Sequence, residues 1–280
     1  MLVVLSAGLA SCDLAPPSGP AGLRYRDAVF SGVTKQADSA YGSAVNQDGT
    51  TETLTFDLYT PTGDRRTGRP LIVWVHGGSF CCGSKTSAEI VDEANTFAKK
   101  GYVNASISYR LSENGCRSQD AECIQAIHDA IADAQAAVRY FRAHAATYGI
   151  DPALISIGGT SAGAITALGV GYRVPEPTTS GTPGVSSQVK AAVSLSGGVL
   201  FVQQVGAGDA PALLFHGTAD PLVPYSWARN TVDRAHDAGL PAYLITWEGE
   251  GHVPYTQHRQ QILNLTTNFL YNTLDLSNNG

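Results

Sequence analysis

Ser161 stands in Gly159-Thr160-Ser161-Ala162-Gly163, between an apolar run at Ala153–Ile157 and a small-residue apolar run at Ala164–Gly171. The first run reads as a buried strand and the second as a packed helix. A serine flanked by glycines at a strand-to-helix turn is a nucleophile elbow, which lifts the hydroxyl clear of the backbone. The glycines are needed because the turn is too tight for side chains beside the serine. The chemistry open to such a serine is attack on an acyl carbon. It requires a base to take the hydroxyl proton and a third group to orient that base.

Seven histidines are available. His128, His144, His236 and His258 fall within helical patterns, and His76 and His216 end apolar strand runs where a structural role suffices. His252 lies instead in Glu248-Gly249-Glu250-Gly251-His252, a glycine-rich loop after the apolar Ala242–Trp247 and before the last helical pattern. That position favours His252 over His258 as the base. The acid belongs on the loop after the preceding strand, where Pro211–His216 is apolar and Gly217-Thr218-Ala219-Asp220-Pro221 turns out of it. Asp220 is therefore the expected acid, ahead of Asp209 and Glu248. Asp-Pro also opens ordinary turns, but the order serine, acid, histidine gives Asp220 the further role.

A tetrahedral intermediate needs donors aimed at its oxyanion. One expected donor is the N–H of Ala162, the residue after the serine. The others are expected from His76-Gly77-Gly78-Ser79-Phe80, which follows the apolar strand Pro70–Val75. Glycines there let successive N–H groups face one point.

These segments, with Ser108-Tyr109-Arg110-Leu111, Tyr148-Gly149-Ile150-Asp151-Pro152 and His216-Gly217-Thr218-Ala219-Asp220, resemble those of bacterial α/β-hydrolase carboxylesterases of the hormone-sensitive-lipase and feruloyl/acetyl-xylan-esterase kind. The resemblance spans residues 71–269. It implies a serine carboxylesterase acting through Ser161, His252 and Asp220, with Gly78 and Ser79 donating to the oxyanion beside Ala162. Such families often carry a third glycine where this chain has Ser79, a change that keeps the N–H. The resemblance also implies that Arg110 pairs with helix acids such as Asp129 or Asp133. It calls for neither a metal nor an organic cofactor. Two other readings share parts of the pattern. A prolyl-oligopeptidase-type peptidase has the same triad order but usually a large N-terminal propeller, and a non-catalytic binding module commonly loses the serine or histidine.

The chain has 280 residues, 43% of them hydrophobic and 8% aromatic, and 18 basic against 24 acidic residues give a net charge of −6. That suits one large α/β domain. No basic run interleaves with aromatics, which argues against a nucleic-acid partner, and no apolar run is long enough to span a membrane. Met1–Ala10 is short and apolar, and Leu9-Ala10-Ser11-Cys12 resembles a bacterial lipobox, although no Lys or Arg precedes Arg24. Residues 1–22 are thus expected to be a lipoprotein-type signal and tether lipidated at Cys12, and residues 23–280 the catalytic domain. The protein would then be exported, anchored at the cell envelope or secreted. Cys81, Cys82, Cys116 and Cys123 suit disulfides on an exported chain, with the pairing open. Bridges between their two loops would brace the oxyanion loop.

Arg24–Val33 and Glu52–Tyr59 read as a leading antiparallel pair, the second alternating through Leu54, Phe56 and Leu58. Central strands are expected at Leu71–Val75, Val103–Ser108, Leu154–Ile157, Ala191–Ser196, Ala212–Phe215 and Ala242–Trp247. Helices fill the gaps: one opened by a capping box at Thr86-Ser87-Ala88-Glu89 and closed by Gly101, then Ile124–Tyr148, Ser226–Ala238 and Tyr255–Leu274. Strands alternating with helices give a mostly parallel twisted sheet of about eight strands, covered on both faces. No segment before the first central strand is helical enough for a large cap domain. The one irregular insertion, Arg173–Gln188, could edge the site. An open site suits small soluble esters and esters on bulky or polymeric carriers, with Phe80, Tyr225 and Tyr255 as aromatic neighbours of the cleft.

Overall fold

Alternation along the central strands divides the interior into two layers. Leu71, Val73 and Val75 join one apolar cluster, and the intervening Ile72 and Trp74 join the other, the period-two pattern of a strand buried on both faces. The computed structural model describes residues 11–116, 120–175, 182, 184–200 and 204–278, with the side chains of Ser11, Cys12 and Asn278 excepted. The Cys12 side chain, on which the lipidation expectation falls, and the signal at residues 1–10 therefore lie outside what is described.

The strands are β1 (Val33–Val45), β2 (Thr51–Pro61), β3 (Arg69–Val75), β4 (Val103–Ile107), β5 (Ile150–Thr160), β6 (Ala192–Leu195), β7 (Ala212–Gly217) and β8 (Ala242–Trp247). They form one eight-stranded sheet in the order β1-β2-β4-β3-β5-β6-β7-β8. β1 and β2 pair antiparallel, as do β2 and β4, and the remaining pairs are parallel. The helices are α1 (Ala88–Lys100), α2 (Ala121–Ala143), α3 (Ala145–Tyr148), α4 (Ala162–Gly171), α5 (Tyr225–Asp237) and α6 (Tyr255–Thr273). α2, α4 and α5 supply residues such as Ile131, Leu168 and Val232 to one cluster. α1 and α6 supply Phe97 and Phe269 to the other. This is the α/β-hydrolase architecture, and no large cap lies over the sheet among the described residues.

Three expectations shift. The leading pair exists, but its first strand is β1 and not Arg24–Val33; residues 24–30 cross the end of α1, where Tyr25 and Phe30 donate to the carbonyls of Lys100 and Lys99. β1 is mostly exposed and polar, so it lacks the apolar alternation that marks a strand. The long helix expected to reach Tyr148 breaks at His144 into α2 and α3, with Gly149 closing α3 at φ 62°. Ser87 caps α1 by position only, since its side chain makes no capping hydrogen bond.

The stretch read as a tether is held against the body. Tyr243 donates to Asp13 Oδ2 at 2.9 Å, and Asn268 and Asn272 donate to the carbonyls of Leu14 and Asp13. Arg110 ties β4 to α2: its guanidinium donates to both carboxylate oxygens of Asp133 and lies 3.2 Å from Asp129 Oδ1. The implied pairing therefore involves both acids. The cysteines depart from the cross-loop expectation. Cys116, in the loop after β4, and Cys123, in the first turn of α2, are bonded to each other, with Cα atoms 4.4 Å apart. Cys81 and Cys82 remain thiols.

Candidate active site

Ser161 sits between β5 and α4 with φ 54° and ψ −118°, a conformation rare for a residue with a side chain. Hydrogen bonds on both flanks hold it there. Its N–H donates to Leu195 O on β6 at 2.9 Å, and its carbonyl accepts from Ala164 and Ile165 in the first turn of α4. Gly163 permits the turn because a Cβ there would lie 2.0 Å from the carbonyl oxygen of Val75 at the end of β3. The elbow is thus wedged against the strand whose loop carries Gly78 and Ser79.

His252 and Asp220 reach Ser161 from the loops after β8 and β7. His252 Nε2 lies 2.8 Å from Ser161 Oγ, and His252 Nδ1 lies 2.7 Å from Asp220 Oδ2. Asp220 Oδ1 accepts the N–H groups of Leu222 and Val223 at 2.9 and 3.0 Å. His216 Nε2 is 3.2 Å from Asp220 Oδ2 and 2.9 Å from Val223 O. Burial alone would raise the pKa of Asp220. The hydrogen bonds from His216, His252, Val223 and Leu222 outweigh it and hold the carboxyl well below the usual carboxylate range. A carboxylate only accepts, so Nδ1 of His252 carries the proton and Nε2 is left to accept from the Ser161 hydroxyl. His216, flanked by a carbonyl and a carboxylate, must likewise donate through Nε2. Gly217 allows the two loops to meet, since a Cβ there would lie 2.2 Å from Glu250 O.

On the other side of Ser161, Gly78, Ser79 and Phe80 take φ values of 120°, 53° and 63° in succession. This left-handed run turns the loop after β3 back beside the elbow. Among the described residues, no hydrogen bond outside the regular elements uses the N–H of Gly78, Ser79 or Ala162. His76 is structural, as expected: its ring stacks on Tyr109 at 4.4 Å, Nδ1 contacts Gly77 O, and burial lowers its basicity.

The other candidates lie elsewhere. His258 stacks on Trp247 at 4.1 Å and faces Glu250. Asp209 pairs with Arg173, and Glu248 is exposed. Of the three aromatic neighbours, Phe80 lines a cavity of about 110 Å³ that opens at Ser161. Tyr225 instead donates to or accepts from Thr246 on β8, with its ring edge-on to His216. Tyr255 is tied to Asp92 and lines a separate groove with Glu89 and Arg259. Of the irregular stretch 173–188, residues 176–181 and 183 lie outside the described residues; the carbonyls of Ser186 and Gln188 are held by Arg142 and do not line the cavity. Ile165, one turn after the elbow, and Leu222 and Val223, just past the acid, line the cavity and were missed from the sequence, although their spacing from Ser161 and Asp220 could have pointed to them. Ile127 and Trp227 carried no such signal.

The BD-FAE family model matches residues 56–203, more than half of the chain, and a TAP-like protein model matches residues 192–275. Carboxylesterase 3B of Mus musculus is 35% identical over 114 residues, covering 39% of this chain and 19% of that protein. The probable isoprenylcysteine alpha-carbonyl methylesterase ICMEL1 of Oryza sativa subsp. japonica is 26% identical over 239 residues, covering 70% of this chain and 53% of that one. The chain thus spans about half or less of the length of these relatives. Among solved structures, Thermogutta terrifontis esterase 2 phosphoramylated by tabun is 25% identical with a TM-score of 0.71, covering 87% of this chain and 95% of that one. The same esterase has been solved phosphorylated by paraoxon and with propionate or butyrate bound. With these relatives, an eight-stranded α/β-hydrolase sheet and a family match over most of the central strands, the chain belongs to the BD-FAE family.

Proposed function

We propose that this protein is a serine carboxylesterase working through an acyl-enzyme. The observation that carries the reading is the hydrogen-bonded chain from Ser161 Oγ through His252 to Asp220, at the mouth of a largely apolar cavity. The named esterase activities of the relatives support it, as does organophosphate modification of the structural neighbour.

Ser161 Oγ attacks the ester carbonyl while its proton passes to His252 Nε2. Asp220 accepts from Nδ1 and stabilises the imidazolium that forms. The carbonyl oxygen, now an oxyanion, accepts from the N–H groups of Gly78, Ser79 and Ala162. Collapse of the tetrahedral intermediate breaks the bond to the alcohol, whose oxygen takes the proton from His252. Water then enters, gives a proton to His252 and attacks the acyl carbon. The second intermediate releases the acid and returns the proton to Ser161.

Ser161→Ala should cut kcat/KM for p-nitrophenyl butyrate by ~10⁴-fold or more. Wild type should also take up one diethylphosphoryl group from paraoxon at Ser161. Activity near wild type in the variant, or cleavage of aminoacyl anilides without esters, would refute the reading. Export, with Cys12 as a lipid anchor, is the accompanying proposal. It rests on the Leu9–Cys12 tetrapeptide and on the Cys116–Cys123 disulfide, which suits an oxidising compartment. Equal palmitate labelling of wild type and Cys12→Ala in bacteria would reject it.

A further inference from the structure

We propose that the Cys116–Cys123 disulfide is a wall of the acyl pocket and limits this enzyme to short acyl chains. The inference rests on the acyl-enzyme reading above and names the substrate class of the same site.

The cavity at Ser161 is bounded by Phe80, Ile127, Ile165 and Trp227 together with both half-cystines. These come from the loop after β3, the loop before α2, and from α2, α4 and α5. Its volume of about 110 Å³ is below the roughly 150 Å³ of an apolar cavity that takes up a benzene ring, which suits an acyl tail of a few carbons. A longer chain would meet the disulfide or the two isoleucines.

The disulfide is anchored at both ends, which makes it a fixed wall. Cys116 donates its N–H to Ser79 O at 2.8 Å, and Ser112 donates to Phe80 O at 2.9 Å, so this loop is stitched to the segment that supplies the oxyanion donors. Within the loop, Ser112 and Asn114 donate to Glu122 in the first turn of α2. Cys123 is 4% exposed in that same turn, and its N–H is capped by Asp120 Oδ1 at 3.0 Å. Gly115 packs where a Cβ would lie 2.2 Å from Ser79 O. A covalent link between two anchored points leaves the cavity little room to widen. Interiors respond to such limits in steps of single methylene groups.

The test is the ratio of kcat/KM for p-nitrophenyl octanoate to that for p-nitrophenyl acetate, with butyrate between. Oxidised wild type should prefer acetate and butyrate. Cys116→Ala/Cys123→Ala should raise the octanoate-to-acetate ratio by roughly tenfold, the scale on which apolar pockets discriminate added methylenes. Ile127→Ala, which keeps the disulfide and lies one turn along α2 from Cys123, should raise it as well. If the double variant does not fold, native protein carrying Cys81→Ser/Cys82→Ser and reduced with a phosphine replaces it. There the disulfide gains two electrons and two protons while the phosphine becomes its oxide, and intact mass confirms the two new thiols. A wild type that hydrolyses octanoate as well as butyrate, or a ratio unmoved when the link is opened, overturns the wall. A wild type that hydrolyses none of these esters overturns the esterase reading itself, and this inference with it.

Discussion

On one side of Ser161 lies the loop after β3, whose proposed task falls to its main-chain N–H groups, with the side chains incidental to that task. On the other side, the loops after β7 and β8 present an imidazole and a carboxylate whose atoms lie 2.7–2.8 Å from their partners. The first region is specified by backbone conformation: three successive residues hold positive φ. The second is specified by side-chain identity, with the backbone serving to bring two loops together at Gly217. The two regions should therefore answer differently to mutation. A substitution that respects φ should be tolerated in the first, whereas no substitution of the imidazole should be tolerated in the second.

The largest break is expected at His252. His252→Ala removes the proton carrier and should lower kcat/KM on p-nitrophenyl butyrate by ~10⁴-fold or more, with KM little changed. Asp220→Asn should follow at ~10²–10⁴-fold, because the amide can donate to Nδ1 and favour the tautomer in which Nε2 bears the proton. A variant retaining a tenth of wild-type activity would remove Asp220 from the reading.

The backbone side sharpens the contrast within two neighbouring residues. Gly78→Ala would place a Cβ 2.1 Å from Cys82 O at φ 120°, so the loop must move and its donors with it. Loss of an oxyanion donor costs ~10²–10³-fold in kcat, and a fall in kcat of that order is expected. Ser79→Ala keeps both the N–H and the left-handed geometry, and should stay within a few-fold of wild type. Equal loss in the two variants would mean that the Ser79 hydroxyl takes part. Gly217→Ala tests the other side's dependence on backbone. Its Cβ would press on Glu250 O and move Asp220 away from His252, lowering kcat by roughly 10–100-fold, the scale at which misplacement by an ångström acts.

The same division explains what could be read from the chain. Ser161, His252, Asp220 and the glycine-bearing loop are local signals, each a turn with a fixed place in chain order, and spacing alone locates them. β8 was legible to the residue because Ala242–Trp247 is an unbroken apolar run between turns. β1 was not, because an exposed antiparallel strand such as Val33–Val45 buries too little to leave a pattern. The cavity walls were hidden for another reason. Ile127 and Trp227 lie on helices far apart in sequence, where an apolar residue looks like any other core position. Tyr225 and Tyr255 misled by adjacency, since neighbours in sequence on a helix start can face β8 or α1 instead of the cleft. Disulfide pairing depends on the three-dimensional approach of the loops, which spacing does not encode.

The smallest expected effect lies behind the site, where the helices that follow the two regions pack together. Glu93 on α1 is 3% exposed, and its Oε2 has no hydrogen-bond partner among the described residues. Burial raises its pKa well above the ordinary glutamate range, and the nearby Glu89 and Asp92 add to the rise. Tyr255 and Arg259 face this cluster from α6 through their hydrogen bonds to Asp92. As pH rises past the ordinary glutamate range, the unfolded chain releases a proton that the folded chain keeps. Stability from this group is thus complete at low pH and is lost as pH climbs toward and through the raised folded value. Glu93→Gln removes the titration. The melting temperature of the variant relative to wild type should therefore be higher at about pH 8 than at about pH 5, by ~2 °C or more. The variant's kcat/KM should remain near wild type, since Glu93 touches neither loop's reacting groups. A melting difference that is the same at both pH values would show that Glu93 is ionised in the folded protein, and that the helices behind the two regions meet at a hydrated acidic cluster rather than a protonated one.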